Sequence, residues 1–231
     1  MIFPQKEIRL LRNPAKATVL ARFFKTGKGQ YGEGDVFLGL TVPQSRVVAK
    51  KYHTLSFENI EILLASKYHE ERLVALLILV AEFQVGDEKQ KKQIFDFYLA
   101  HLDRVNNWDL VDLSADKIVG TYLLGKSTKV LDKLIISKKL WERRVAMVAI
   151  FAFIKNGDAS VTFRLAEKLL HDKEDLMHKA TGWMLREAGK RVSKKGLELF
   201  LKKNAMRMPR TMLRYAIERF PEKERKQWLS I

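Results

Sequence analysis

The chain has 231 residues, 47% of them hydrophobic, which is enough for a sizeable core in one or two compact units. Its 43 Lys and Arg against 27 Asp and Glu leave a formal net charge of +16. That balance favours a polyanionic partner, nucleic acid before an anionic membrane surface, over a generally basic but unspecialised protein. The absence of cysteine excludes disulfides, thiolate zinc sites, iron–sulfur clusters and thiol nucleophiles, and fits a reducing compartment.

Taken in chain order, the N-terminus MIFPQKEIRLLRNP has no long apolar stretch and reads as lacking a signal peptide. A bacterial cytoplasmic or nucleoid location is therefore expected. The stretch KATVLARFFKTGKGQYGEGDVFLGLTVPQSRVVAKKY reads as a helix, a Gly-rich connection from Gly27 to Gly34, and a helix opened by Pro43. The glycines resemble a phosphate cradle, but no strand precedes them and no GK[ST] follows, so a backbone-exposing turn is the plainer reading. Residues 1–40 are expected to form an atypical cap region on a single domain spanning 1–231.

Beyond residue 40 the helical period runs almost unbroken. ENIEILLAS, EERLVALLILVAEFQ, KKQIFDFYLAHL, DLSADKIVGTYLL, STKVLDKLIIS, LWERRVAMVAIFAFIKNGD, SVTFRLAEKLLH, LMHKATGWMLREAGKR, SKKGLELFLKKN, PRTMLRYAIERF and PEKERKQWL all read as helices. LVALLILVA, Leu73 to Ala81, is the longest apolar run; flanking charge and its shortness make it a buried helix, not a membrane span. No convincing alternating strand pattern occurs, so the fold is read as all-α.

The helices also repeat. EERLVALLILVAEF, WERRVAMVAIFAFI, LMHKATGWMLREAG and MPRTMLRYAIERFP are alike, and the first three place a small residue (Ala75, Ala146, Thr181) on a seam expected to be buried. Copies recur roughly every 30–40 residues with another helix between them, the period of HEAT-like or armadillo-like solenoids. The expected architecture is an α-α superhelix of HEAT-like repeats with a concave basic face; an irregular helical bundle is the alternative.

Chemistry-bearing residues are few. The five histidines, His53, His69, His101, His171 and His178, have no metal-ligand spacing, and no nucleophile elbow is present. No metal and no cofactor are expected. Basic residues recur at helical spacing: Arg143 and Arg144 open one helix, Lys179, Trp183 and Arg186 share a face of another, and Arg210 and Arg214 lie one turn apart. Singly, each is as well explained by a solvated face; aligned across repeats, they would form a stripe that follows a phosphate backbone.

Trp108 and Asp112 fall four residues apart, one turn along the same face of a helix. Each is open to a plain reading, the indole in the core and the carboxylate in solvent, and Asp109 and Asp116 are expected to be exposed acids. Yet a carboxylate beside an aromatic ring on a surface meant for a polyanion would weaken binding. It makes sense where a developing positive charge needs stabilising or a water positioning, as in glycosidic cleavage through an oxocarbenium-like state.

At these residues the sequence resembles the AlkD family of HEAT-like-repeat alkylpurine DNA glycosylases. The resemblance covers nearly the whole chain and is carried by QYGEGDVFLGL, VNNWDLVDLSA, LWERRVAMVA and KATGWMLREAGKR. The family pattern of a Trp, an Asp four residues on, an Arg in a W-x-R-R helix start and a second Trp in GW-x-LRE falls on Trp108, Asp112, Arg144 and Trp183. The resemblance implies a monofunctional enzyme that cuts the N-glycosidic bond of cationic alkylated purines such as 3-methyladenine and 7-methylguanine in double-stranded DNA. Asp112 would stabilise the sugar cation and position water, Trp108 and Trp183 would contact the lesion sugar-phosphate, and Arg144 would hold a phosphate. It further implies that the damaged nucleotide is engaged from its backbone side, in a groove without a deep pocket. A monomer is expected, with no membrane partner. The competing readings are a non-catalytic HEAT-like scaffold for duplex or branched DNA, and an RNA-binding helical repeat.

Overall fold

A computed structural model describes residues 3–231. The chain gathers into two compact units, Met1–Ile118 and Val119–Ile231. Among the described residues there is no strand; a lone bridge pairs Val36 with Tyr68. The fold is all-α, built from helical repeats, and no helix among the described residues is long and apolar enough to cross a membrane.

The first unit contains α1 (Phe3–Leu10), α2 (Pro14–Phe23), α3 (Val42–Lys51), α4 (Phe57–Leu64), α5 (His69–Val85), α6 (Glu88–Ala100) and α7 (Trp108–Ser114). Its axis is α5, whose apolar run Leu73–Val80 is buried throughout and packs against α3, α4 and α7. Helix starts follow capping chemistry. Asn13 accepts from Lys16 N at 3.0 Å ahead of Pro14, Thr41 and Gln44 form a capping box around Pro43, and Asp87 accepts from Gln90 N at 2.8 Å.

The second unit contains α8 (Lys129–Leu134), α9 (Leu140–Ala149), α10 (Phe151–Lys155), α11 (Ser160–Lys168), α12 (Asp175–Arg191), α13 (Lys194–Asn204), α14 (Arg210–Ala216) and α15 (Glu222–Leu229). Here α12 is the hub, touching α9, α10, α11, α13 and α14. The close approach of α14 depends on Gly182, where a Cβ would stand 2.5 Å from Met212 O. The seam residues Ala75, Ala146 and Thr181 are fully buried, as their spacing implies.

Two stretches depart from the uniform helical reading. LWERRVAMVAIFAFI is split at Ile150, whose ψ of −11° tightens the turn between α9 and α10. DLSADKIVGTYLL leaves the α-helix after Ser114 and passes through a π-helical turn, Asp116–Gly120. The extra residue in that turn shifts the register of everything after it, which a 3.6-residue period read straight through does not capture.

Candidate functional site

Trp108 and Asp112 ride on α7, and α7 is held in place by its own buried N-cap and by buried polar groups from two distant segments, Asp35 and the start of α5. Asn107, fully buried, is its N-cap and accepts from Trp108 N at 2.8 Å, while its own amide donates to Asp35 Oδ2 at 2.9 Å. The Gly-rich connection therefore does structural work: it delivers Asp35, not a phosphate cradle. Asp35 also accepts from Arg72 Nη2 at 2.5 Å.

The sequence expectation that Asp109 and Asp116 are exposed is corrected by the structure: both are buried. Asp109 accepts from His69 Nε2 at 2.8 Å and from Leu110 N at 2.9 Å; Asp116 pairs with Lys117 at 2.9 Å. An α-helix of seven residues packed on α5 has too little exposed face to leave all its acids in solvent, and the histidine opposite supplies the partner that makes burial of Asp109 tolerable.

His69 bridges the two acids, its Nδ1 lying 3.1 Å from Asp35 Oδ2. Burial alone would push this imidazole down, but the carboxylates of Asp109 and Asp35 outweigh it and hold it up to about 9. At neutral pH it is an imidazolium donating from both ring nitrogens. Burial likewise acts to raise Asp35, and His69, Arg72 and Asn107 together bring it below the ordinary carboxylate range.

An aromatic stack closes the same circuit from the other side. Trp108 lies flat on Phe24 (4.9 Å between centroids, 10°), Phe24 on Phe37 (4.9 Å, 26°), and Phe37 on His69 (4.5 Å, 24°). Phe23 meets Trp108 edge-on at 5.8 Å and 77°. Next to this stack Glu70 accepts from the backbone N–H groups of Leu38, Gly39 and Leu40 at 2.9, 2.8 and 3.2 Å.

Trp108 and Asp112, both half-buried, line one wall of a cleft of about 510 Å³ formed between α2, α5 and α7. Indole and carboxylate line the same space. A cleft of this size beside them is a feature that the family resemblance does not imply.

Arg144 and Trp183 belong to the second unit, on α9 and α12, which pack together. Arg144 is buried and donates to Leu176 O at 2.8 Å. Trp183 is half-buried, its ring 5.9 Å from that of Phe151. A sequence profile described as DNA alkylation repair enzyme matches residues 4–220.

The chain belongs to that family.

No curated protein matches it. Among solved structures, a predicted DNA alkylation repair enzyme from Enterococcus faecalis shares the fold with a TM-score of 0.70 and 18% identity, over 91% of this chain and 97% of that one.

For a DNA alkylation repair enzyme the placement of basic side chains matters, and here they divide. Arg143, expected to face DNA, makes a two-pronged ion pair with Asp172 (2.7 and 3.2 Å) and donates to Ser137 O at 2.9 Å. Arg186 pairs with Glu187 and Glu218, and Lys179 with Asp175 at 2.7 Å. Arg210 is exposed and donates to Leu229 O. Arg214 is exposed on α14. Carboxylate partners, a bidentate Asp172 for Arg143 and both Glu187 and Glu218 for Arg186, hold these two to the protein itself, which leaves Arg214 the more available cation.

Sequence reading passed over Asp35, Phe24 and Phe37, and gave His69 and Asp109 no part in the site. His69 was set aside for want of a metal-ligand partner in sequence. Its true partners lie 34 and 40 positions away. The one available signal was GEGD followed downstream by HEER, an unusual density of charge for segments flanked by core residues.

Proposed function

We propose that this DNA alkylation repair enzyme is a monofunctional glycosylase that hydrolyses the N-glycosidic bond of cationic alkylated purines, 3-methyladenine and 7-methylguanine among them, in duplex DNA. The observation that carries this reading is the pairing of Trp108 and Asp112 on one face of α7, both turned to a cleft, in a chain of that family.

The chemistry asks little of the protein. Alkylation at N3 or N7 leaves a positive charge on the purine, so the C1′–N bond breaks with its electron pair moving onto the base, which departs neutral. The sugar is left as an oxocarbenium-like cation. The Asp112 carboxylate stabilises that charge and orients the water whose oxygen bonds to C1′, its proton passing to the carboxylate or to solvent. No strong general acid is needed. Trp108 and Trp183 make ring contacts with the lesion sugar, Arg144 neutralises a phosphate, and exposed cations such as Arg214 grip the backbone. The enzyme acts as a monomer in the cytoplasm or nucleoid.

The test is release of free base from methylated duplex DNA by wild type and Asp112→Asn, beside a no-enzyme control for spontaneous depurination. The expected result is release by wild type and a loss of about a hundred-fold or more in Asp112→Asn, with DNA affinity equal or higher because a negative charge has gone. Equal rates would remove Asp112 from the chemistry. DNA binding with no release by either protein would make the chain a scaffold.

A further inference from the structure

A second groove in the first unit lies apart from the α7 site: none of its lining residues borders the cleft beside Trp108. It encloses about 480 Å³ along α3 and α5, with Lys117 in its wall and an apolar floor of Ala49, Leu77, Val80 and Ala81. That volume falls within the ~300–1,000 Å³ typical of sites that enclose small ligands. The two helices run side by side in the same direction. Glu70, at the start of α5, holds the backbone of residues 38–40 ahead of α3. Glu82, near the end of α5, lies within electrostatic reach of His53 just beyond α3.

The polar groups along the groove specify an occupant. Arg46 and Lys50 are exposed and lie one turn apart on α3. Lys117 adds a third cation, with Asp116 holding its Nζ at 2.9 Å. It sits in the π-helical turn Asp116–Gly120, a distortion that recurs at functional sites. Glu82 is the odd member. It is half-buried beside three cations and a histidine, yet its side chain makes no hydrogen bond or ion pair among the described residues, and neither do those of Arg46 and Lys50. Burial raises its carboxyl to about 7, with His53 pulling the other way. A carboxylate held partly out of water without a partner has an unmet demand for N–H donors. At the same end Val85 is 85% exposed, and the exposed His53 ring is pinned by its Nδ1, which donates to Lys50 O at 3.0 Å. An open apolar side chain and a flat ring therefore flank the lone acid.

We propose that this groove binds a guanine mononucleotide, its phosphate on Arg46, Lys50 and Lys117 and its base at Glu82. The chemistry matches in order along the groove. Seven residues separate Arg46 from His53, roughly 10 Å at the helical rise, which is the reach of a mononucleotide from phosphate to base edge. Guanine presents two adjacent donors on its pairing edge, N1–H and the N2 amino group, to the two oxygens of one carboxylate. Adenine presents one donor beside the N1 acceptor, which an ionised carboxylate repels. The planar guanidinium of Arg46 matches phosphate oxygens two at a time. This site stands whether or not the glycosylase reading does, because the two share no residue.

The test uses the full chain at about pH 8, above the Glu82 value, so that the carboxylate is ionised. Guanosine monophosphate (GMP), AMP, guanosine and inorganic phosphate are the probes, with binding followed by calorimetry. The wild type is expected to bind GMP at least about ten-fold more tightly than any of the other three. Glu82→Gln replaces one acceptor by an amide donor, which suits adenine as well as guanine, and is expected to cut the preference for GMP over AMP to within about three-fold. Arg46→Ala combined with Lys50→Ala is expected to weaken GMP binding at least about ten-fold while the melting temperature holds, because both side chains are exposed. A DNA backbone offers the same phosphates, so affinity for undamaged duplex is measured beside it and is expected to fall far less. Duplex affinity that falls as far as GMP affinity would give these cations to DNA and overturn the nucleotide site. Equal affinity of the wild type for GMP and AMP, or a Glu82→Gln protein that keeps the full preference, would overturn it as well.

Discussion

The two units bury their central helices by different chemistry. In the first, α5 opens with four consecutive polar residues, His69, Glu70, Glu71 and Arg72, that are 1%, 1%, 0% and 4% exposed. Each has a specific partner: His69 the two acids, Glu70 the backbone of Leu38 to Leu40, Glu71 the side chains of Gln5 and Arg9, Arg72 Asp35. In the second unit, α12 is made to fit by the small residues Ala180, Thr181, Gly182 and Ala188, with methionine and leucine filling between. Small residues set how closely helices approach. Buried ion pairs do something else: they are costly to desolvate and tolerate few arrangements, so they fix orientation more than they add stability. The unit that carries Trp108 and Asp112 is the one built this way.

The comparison breaks most severely at His69. His69→Leu leaves Asp109 without its cationic partner and should cost about 3–5 kcal/mol, read as a drop in the urea midpoint. An unchanged midpoint would mean that the carboxylates are solvated, not paired. The same group sets a pH signature. Its ordinary value of 6.5 rises to about 9 on folding, so its contribution is fully present below 6.5 and is lost as pH climbs through 9. Wild type should weaken across that window, and His69→Leu should lack that part of the decline. Gly182→Ala probes the other unit. A helical Ala gains up to ~1 kcal/mol over Gly, but the new methyl meets the Met212 carbonyl at 2.5 Å, an overpacking cost of ~1–3 kcal/mol, so the clash wins and the melting temperature falls. A rise would show that α14 can shift outward freely. The smallest stability effects sort the arginines. Arg143→Gln should destabilise by ~1–3 kcal/mol with little change in the salt dependence of DNA binding, because its guanidinium is committed to Asp172. Arg214→Gln should move stability by less than ~0.5 kcal/mol while weakening DNA binding and lowering its salt slope. The reverse pattern would exchange their roles.

The second unit was largely legible from sequence. Helical period, small seam residues and helix boundaries from Ser160 onward correspond to α11–α15 because each rests on local spacing. The first unit was legible only in part. α3 to α6 follow their apolar periods, and the shared face of Trp108 and Asp112 follows from a spacing of four. What stayed hidden depends on contacts between positions far apart. Asp35, His69 and Asp109 are unremarkable singly, and only the fold brings them within 3.1 Å. The cleft is hidden for a related reason: the period of α2 predicts an apolar face, and nothing local says that this face is left uncovered.

The stack and the ion pairs around His69 share both ends. Trp108 touches Phe24, Phe24 touches Phe37, Phe37 touches His69, His69 holds Asp109, and Asp109 is bonded through the backbone to Trp108. In mechanical terms this is a closed linkage. A force on the indole travels through three rings and returns as a load on the peptide next to its own. The tryptophan is thus braced against itself, and the helix turn that carries Asp112 is part of the brace.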